Sequence, residues 1–166
     1  MLAMIKKNPF TFLAVVGVLL AGGWFIYAQF AAPDAIAVDY GDAATIAQGK
    51  QLYGQHCASC HGPNGEGQVP SQPMGGQRAD GTYIAPAMTR TGHAWHHGPD
   101  TLFSVIKDGS PAKGSPMVAW DGTLSDAQIH AVIAYIRSLW PMQLRERYDN
   151  AFGMGGKMGR GGHMMR

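Results

Sequence analysis

The residues best suited to chemistry are Cys57-Ala58-Ser59-Cys60-His61, which hold the only two cysteines of the chain. A disulfide between thiols three residues apart would close a tiny loop and remove little chain entropy. A closed zinc site needs four ligands, and no second Cys-x-x-Cys is present. A thioredoxin-like redox motif needs a βαβ context, which the surrounding pattern lacks. The remaining chemistry is covalent haem attachment. Two thiols about one helical turn apart reach the two vinyl groups, and the adjacent imidazole of His61 points at the iron. One haem c is therefore expected, held by Cys57 and Cys60, with His61 as proximal iron ligand.

A second axial ligand must come from elsewhere. Met74, Met88 and Met117 all follow the motif. Met117 lies in a loop between two predicted helices and can cross the open haem face, so it is the expected distal ligand, with Met88 as its rival. Methionine opposite histidine raises the potential and closes the iron to small ligands, which suits outer-sphere electron transfer. His93-Ala94-Trp95-His96-His97 is a further cluster. A second metal or a contact with a haem propionate would be its functional readings, and it is read here as surface-loop histidines. His56 and His130 receive no role, and Trp120 is expected to pack against the haem edge.

The elements that position these residues read as helices. Asp42 opens a helix over 43–55, with Ile46, Gly49, Lys50 and Tyr53 at helical spacing. Gly49 is a poor helix former, so close approach by another helix is one reason for it there. Residues 62–98 read as ordered loop. Pro99 starts a short helix that Gly109 stops, with Leu102, Phe103, Val105 and Ile106 on its apolar face. Ser125-Asp126-Ala127-Gln128 is a capping box, followed by a stripe of Ile129, Val132, Ile133, Ile136, Leu139 and Trp140 up to Pro141. No strand pattern competes, and the expected fold is all-α. Three short helices make too small a core for this length of chain unless something such as a haem fills the centre.

At these residues the chain resembles class I mono-haem cytochromes c, over about Asp42 to Pro141. Gly49-x-x-x-Tyr53 ahead of Cys57 to Gly62 is similar to that family's first helix and haem site. Gly114-Ser115-Pro116-Met117-Val118-Ala119-Trp120 resembles its distal-ligand loop, although Val118 stands where proline often follows the methionine. Ile133-Ala134-Tyr135-Ile136 resembles its closing helix, whose aromatic packs on the first helix near Gly49 and Tyr53. The resemblance implies a small cytochrome c fold wrapped around one covalent haem.

Outside the domain, residues 10–30 contain no charge. As a helix of about 31 Å they would span a bilayer core. Lys6 and Lys7 precede the run, and aromatic residues gather at its far end, so 1–9 is expected to be cytoplasmic and the haem domain to lie on the periplasmic face of the inner membrane. A cleaved signal peptide, with a small-x-small site at Ala35-Ile36-Ala37, is the alternative. The divisions read are 1–9 cytoplasmic, 10–30 transmembrane anchor, 31–41 linker, 42–141 cytochrome c domain, and 142–166 a basic Gly/Met-rich tail. Residues 31–141 have a formal charge of −3 and 142–166 of +3 within a total of +2. No basic face interleaved with aromatics appears, which argues against nucleic acid as a partner.

The expected function is membrane-tethered single-electron transfer rather than enzymatic turnover. The protein is read as a carrier between a quinol-oxidising complex or dehydrogenase and a terminal oxidase, or as a subunit of such a complex. A haem enzyme or ligand sensor with a labile sixth ligand, or a copper-handling protein using the Met-rich tail, are the other readings.

Overall fold

Asp42 caps the first helix as its side chain suggests: its carboxylate accepts from the Thr45 amide at 2.7 Å and the Thr45 hydroxyl at 2.8 Å. The computed structural model describes Leu20 and residues 38–154. Apart from Leu20, the segment 10–30 expected to cross the membrane lies outside the described residues, as do residues 155–166 of the tail. Among the described residues no helix is long and apolar enough to cross a membrane.

Helix α1 covers Ala43–His56 and is followed at once by a single turn, α2, at Ala58–His61. Helix α3 covers Pro99–Asp108, with proline at its start and Gly109 at its end. Helix α4 covers Asp126–Ser138 and begins with the expected reciprocal capping box between Ser125 and Gln128. Two backbone donors at its N-terminus are thereby satisfied.

The core forms where α1 crosses α4. A Cβ added to Gly49 would lie 1.8 Å from the Ala131 carbonyl oxygen and 3.0 Å from the Tyr135 Cβ. Only glycine permits that approach. Tyr53 then packs on Tyr135, with ring centroids 5.1 Å apart. Ile129, Val132, Ile133 and Ile136 of α4 are all buried. Each such side chain contributes about 1.5–3 kcal/mol by leaving water.

Three features depart from the sequence reading. Gly76–Gln77 (β1) and Tyr83–Ile84 (β2) form a two-residue antiparallel ladder in the loop region, pairing Gly76 with Ile84 and Gln77 with Tyr83. Strands this short carry no alternation to read. Val38 and Tyr40, read as the end of a linker, pack on the core, and Tyr40 is buried. Its hydroxyl bonds the Nδ1 of His130 at 2.7 Å. Residues read as the start of the tail form a helix, α5, over Met142–Phe152. Tyr148 anchors it: its ring lies 4.8 Å from that of buried Trp140. Arg137 and Asp149 complete the join as a mostly buried ion pair, with Arg137 Nε donating to Asp149 at 2.8 Å.

Candidate functional site

The chain turns from α1 into α2 at Cys57, whose carbonyl accepts from the Cys60 amide at 3.1 Å and the His61 amide at 2.9 Å. This single turn brings both thiols and the imidazole into one short stretch. Both cysteines are free thiols; Cys57 is half-buried and Cys60 exposed. Burial, with the neighbouring Cys60 second, pushes the Cys57 thiol up to about 11. It is thus protonated near neutrality, contrary to what a nucleophilic or redox-sensing cysteine requires.

His61 is held by a backbone group rather than a side chain. Its Nδ1 lies 2.8 Å from the Pro86 carbonyl oxygen. A carbonyl can only accept, so Nδ1 carries the hydrogen and Nε2 keeps a free lone pair. Burial lowers the pKa of His61, and the hydrogen bond to Pro86 opposes it. The imidazole is therefore a neutral donor. The Pro86 segment is itself fixed, since the Ala87 amide donates to the Pro73 carbonyl at 2.8 Å and the Gln68 amide to the Ala85 carbonyl at 3.1 Å.

The stretch carrying Met117 is a loop tied back to the end of α3. The Ser110 amide donates to the Met117 carbonyl at 3.2 Å, and the Trp120 amide to the Ile106 carbonyl at 3.1 Å. Gly109 makes the tight return possible: its φ is +86°, and an added Cβ would lie 3.1 Å from the Met117 carbonyl oxygen. The ring of Trp120 meets that of His56 edge-on, with centroids 4.8 Å apart. That contact joins the Met117 loop to the residue preceding Cys57. Cys57, Met88, Phe103, Met117, Trp120 and Leu139 are all partly buried against the core rather than closed within it.

Met88 stands differently. Its amide donates to the Gly65 carbonyl at 2.7 Å, and its own carbonyl accepts from Trp140 Nε1 at 2.8 Å. It lies two residues beyond Pro86, whose carbonyl holds His61 Nδ1. In the histidine cluster, His96 stacks on Trp95 at 3.7 Å, while His93 faces His97. The sequence reading assigned no part to Pro86, His56 or the Tyr53 hydroxyl, which donates to the Gly62 carbonyl at 2.9 Å. A backbone carbonyl has no signature of residue type, and the other two contacts depend on the turn after α1.

Two free thiols one turn apart, a neutral imidazole with an open Nε2 and an incompletely closed apolar margin form a donor set that fits covalently held haem c. Among the described residues no group of three or more His, Cys, Asp or Glu side chains gathers to hold a bare metal ion.

Comparison with known proteins agrees. Residues 44–136 match the family model described as cytochrome C oxidase, cbb3-type, subunit III. The chain is 33% identical over 100 residues to the cbb3-type cytochrome c oxidase subunit CcoP of Azospirillum brasilense, covering 59% of this chain and 30% of that protein. It is 36% identical over 107 residues to the subunit of the same name from Rhodobacter capsulatus, covering 59% and 30%. It is also 36% identical over 98 residues to the thiosulfate dehydrogenase of Stutzerimonas stutzeri (strain A1501), covering 56% and 27%. The chain thus spans about 30% of the length of these curated relatives. No solved structure matches it significantly. The resemblance to class I cytochromes c holds, and with more than half of its residues inside the family model the chain belongs to the cytochrome c oxidase cbb3-type subunit III family.

Proposed function

We propose that the protein is a membrane-tethered electron carrier in which Cys57 and Cys60 attach a single haem, His61 is the proximal ligand and Met117 the distal one. The observation that carries this reading is the 2.8 Å contact between His61 Nδ1 and the Pro86 carbonyl, one turn from two free thiols. It supplies the orientation and tautomer that a metal-bound histidine needs from its surroundings. When bound, haem c supplies a one-electron iron couple.

The side chains divide the work around that group. Cys57 and Cys60 would hold it in position through thioether links. His61 would offer its Nε2 lone pair, and the Pro86 carbonyl keeps the ring from turning. The loop between Gly109 and Trp120, tied by its backbone, would bring the Met117 thioether from another part of the chain. Met88 is a poorer candidate because it sits close to the group that holds the far nitrogen of His61. With His61 and Met117 both serving as ligands, the site would exclude small molecules, which favours electron transfer over turnover.

The anchor is residues 10–30, with the haem domain on the periplasmic face of the inner membrane. The partner is a respiratory complex. Relatives named as subunits of cbb3-type cytochrome c oxidase favour a terminal oxidase, with this chain serving as a subunit or a tethered donor. Tethering raises the effective concentration of such a partner without any new contact. Extraction with acidic acetone tests the attachment. Colour should stay with the wild-type polypeptide, and colour that passes into the solvent would refute it.

A further inference from the structure

The segment His93–His97 is held at both ends by groups outside it. Trp95 Nε1 donates to the Gly92 carbonyl at 3.0 Å and the Arg90 carbonyl at 3.2 Å. The Tyr148 hydroxyl, from α5, donates to the His97 carbonyl at 2.9 Å. Within the segment, Ala94–His96 makes one turn of 3-10 helix. The turn carries His96 onto Trp95, as a ring stacked at 3.7 Å, and leaves His93 and His97 as a neighbouring, edge-on pair.

Two properties of that pair go beyond packing. The Nδ1 atom of His93 is buried and, among the described residues, has no hydrogen-bond partner. A buried polar atom left so is costly to folding, and it calls for an explanation. The His93 and His97 rings are 5.5 Å apart between centroids, at an interplanar angle of 76°. A metal-bound imidazole nitrogen sits ~2.0–2.1 Å from its ion, so rings sharing one ion have centroids about 5 Å apart at a tetrahedral angle and about 6.5 Å apart when opposed. The observed spacing falls within that span.

We propose that His93 and His97 form a two-imidazole binding site for one copper ion, taken up as Cu(I). Burial, followed by the neighbouring His97 and His96, lowers the pKa of His93 against a hydrogen bond to the Met74 backbone that raises it, which favours the neutral ring with a lone pair to offer. The Met74 backbone is hydrogen-bonded to His93, and the Met74 side chain is exposed. A soft thioether on the adjoining loop favours Cu(I) over hard cations. Zinc would want further nitrogen, sulfur or carboxylate ligands, and no third such residue gathers among the described residues.

The test is competition of Cu(I) between a chromophoric chelator and the haem-loaded full chain. Wild type should hold one equivalent. His93→Ala and His97→Ala should each weaken binding at least tenfold, while His96→Ala changes nothing and the haem spectrum stays as in wild type. Replacing Met158, Met164 and Met165 with serine and His163 with serine should leave that equivalent in place. Should His93→Ala disturb the haem spectrum, His97→Ala, at an exposed side chain, carries the test alone. Binding that survives both key substitutions, or disappears with the tail residues instead, would overturn the site. An unchanged copper affinity together with a shifted haem potential in His93→Ala would also overturn it, giving the orphaned nitrogen to the haem.

Discussion

The Tyr53 hydroxyl donates to the Gly62 carbonyl at 2.9 Å, tying α1 to the residue that ends the Cys57–His61 turn. Burial, and then the neighbouring Cys57 thiol, raises the tyrosine pKa, so the hydroxyl stays a donor throughout the physiological range. Tyr53→Phe keeps the ring on Tyr135 but leaves that carbonyl without its partner. The expected cost is about 1 kcal/mol in holoprotein stability. Urea unfolding of the two proteins measures it, and the haem should remain covalently bound in both.

Two glycines of one helix should respond in opposite directions. An alanine Cβ at Gly49 would meet the Ala131 carbonyl at 1.8 Å, so α1 and α4 must part. Gly49→Ala should cost about 3 kcal/mol or more, at the upper end for overpacking. At Gly54 an added Cβ meets nothing within 4 Å. Gly54→Ala should stabilise by about 0.5–1 kcal/mol through helix propensity. Chemical denaturation midpoints of both variants check the contrast.

His130 should make stability depend on pH. Burial lowers its pKa, while Asp126 and Asp100 pull the other way, and Tyr40 bonds its Nδ1. Below the ordinary histidine pKa of about 6.5 the unfolded chain takes up a proton that the folded one resists. Stability from this group is complete above that pH and is lost as the pH falls toward the depressed folded value. Comparison of wild type and His130→Asn between neutral and mildly acidic pH should show the steeper fall in wild type. Equal slopes would remove His130 from the account.

Local signals made some of these elements readable and long-range ones hid the rest. Ser125 and Gln128 announce α4 because a capping box is contained within four residues, and Pro99 and Gly109 bracket α3 in the same way. Gly49 could be read as a crossing point because glycine has little other reason to sit inside a helix. The Cys57–His61 turn suggests haem attachment through residue type and spacing alone. The partner of His61 is a main-chain oxygen 25 residues away, which no side chain advertises. Helix α5 was missed because its sequence is polar and Tyr148 is its one buried residue. Its stability comes from Trp140 and the Arg137–Asp149 pair, visible only once the chain has folded. The facing of His93 with His97, rather than His96, likewise depends on a 3-10 turn that residue type does not specify.

The ligand set of the haem decides between an electron carrier and a haem that reacts with small molecules. The ferric protein should show the weak near-infrared absorption of a sulfur–iron bond. Met117→Ala should erase it, lower the reduction potential and open the ferrous iron to carbon monoxide, because methionine ligation both raises the potential and closes the sixth site. Met88→Ala should leave all three properties as in wild type. Loss of the band in Met88→Ala with its retention in Met117→Ala would contradict the assigned ligand. A wild-type protein that lacks the band and already binds carbon monoxide would contradict electron transfer through a closed haem.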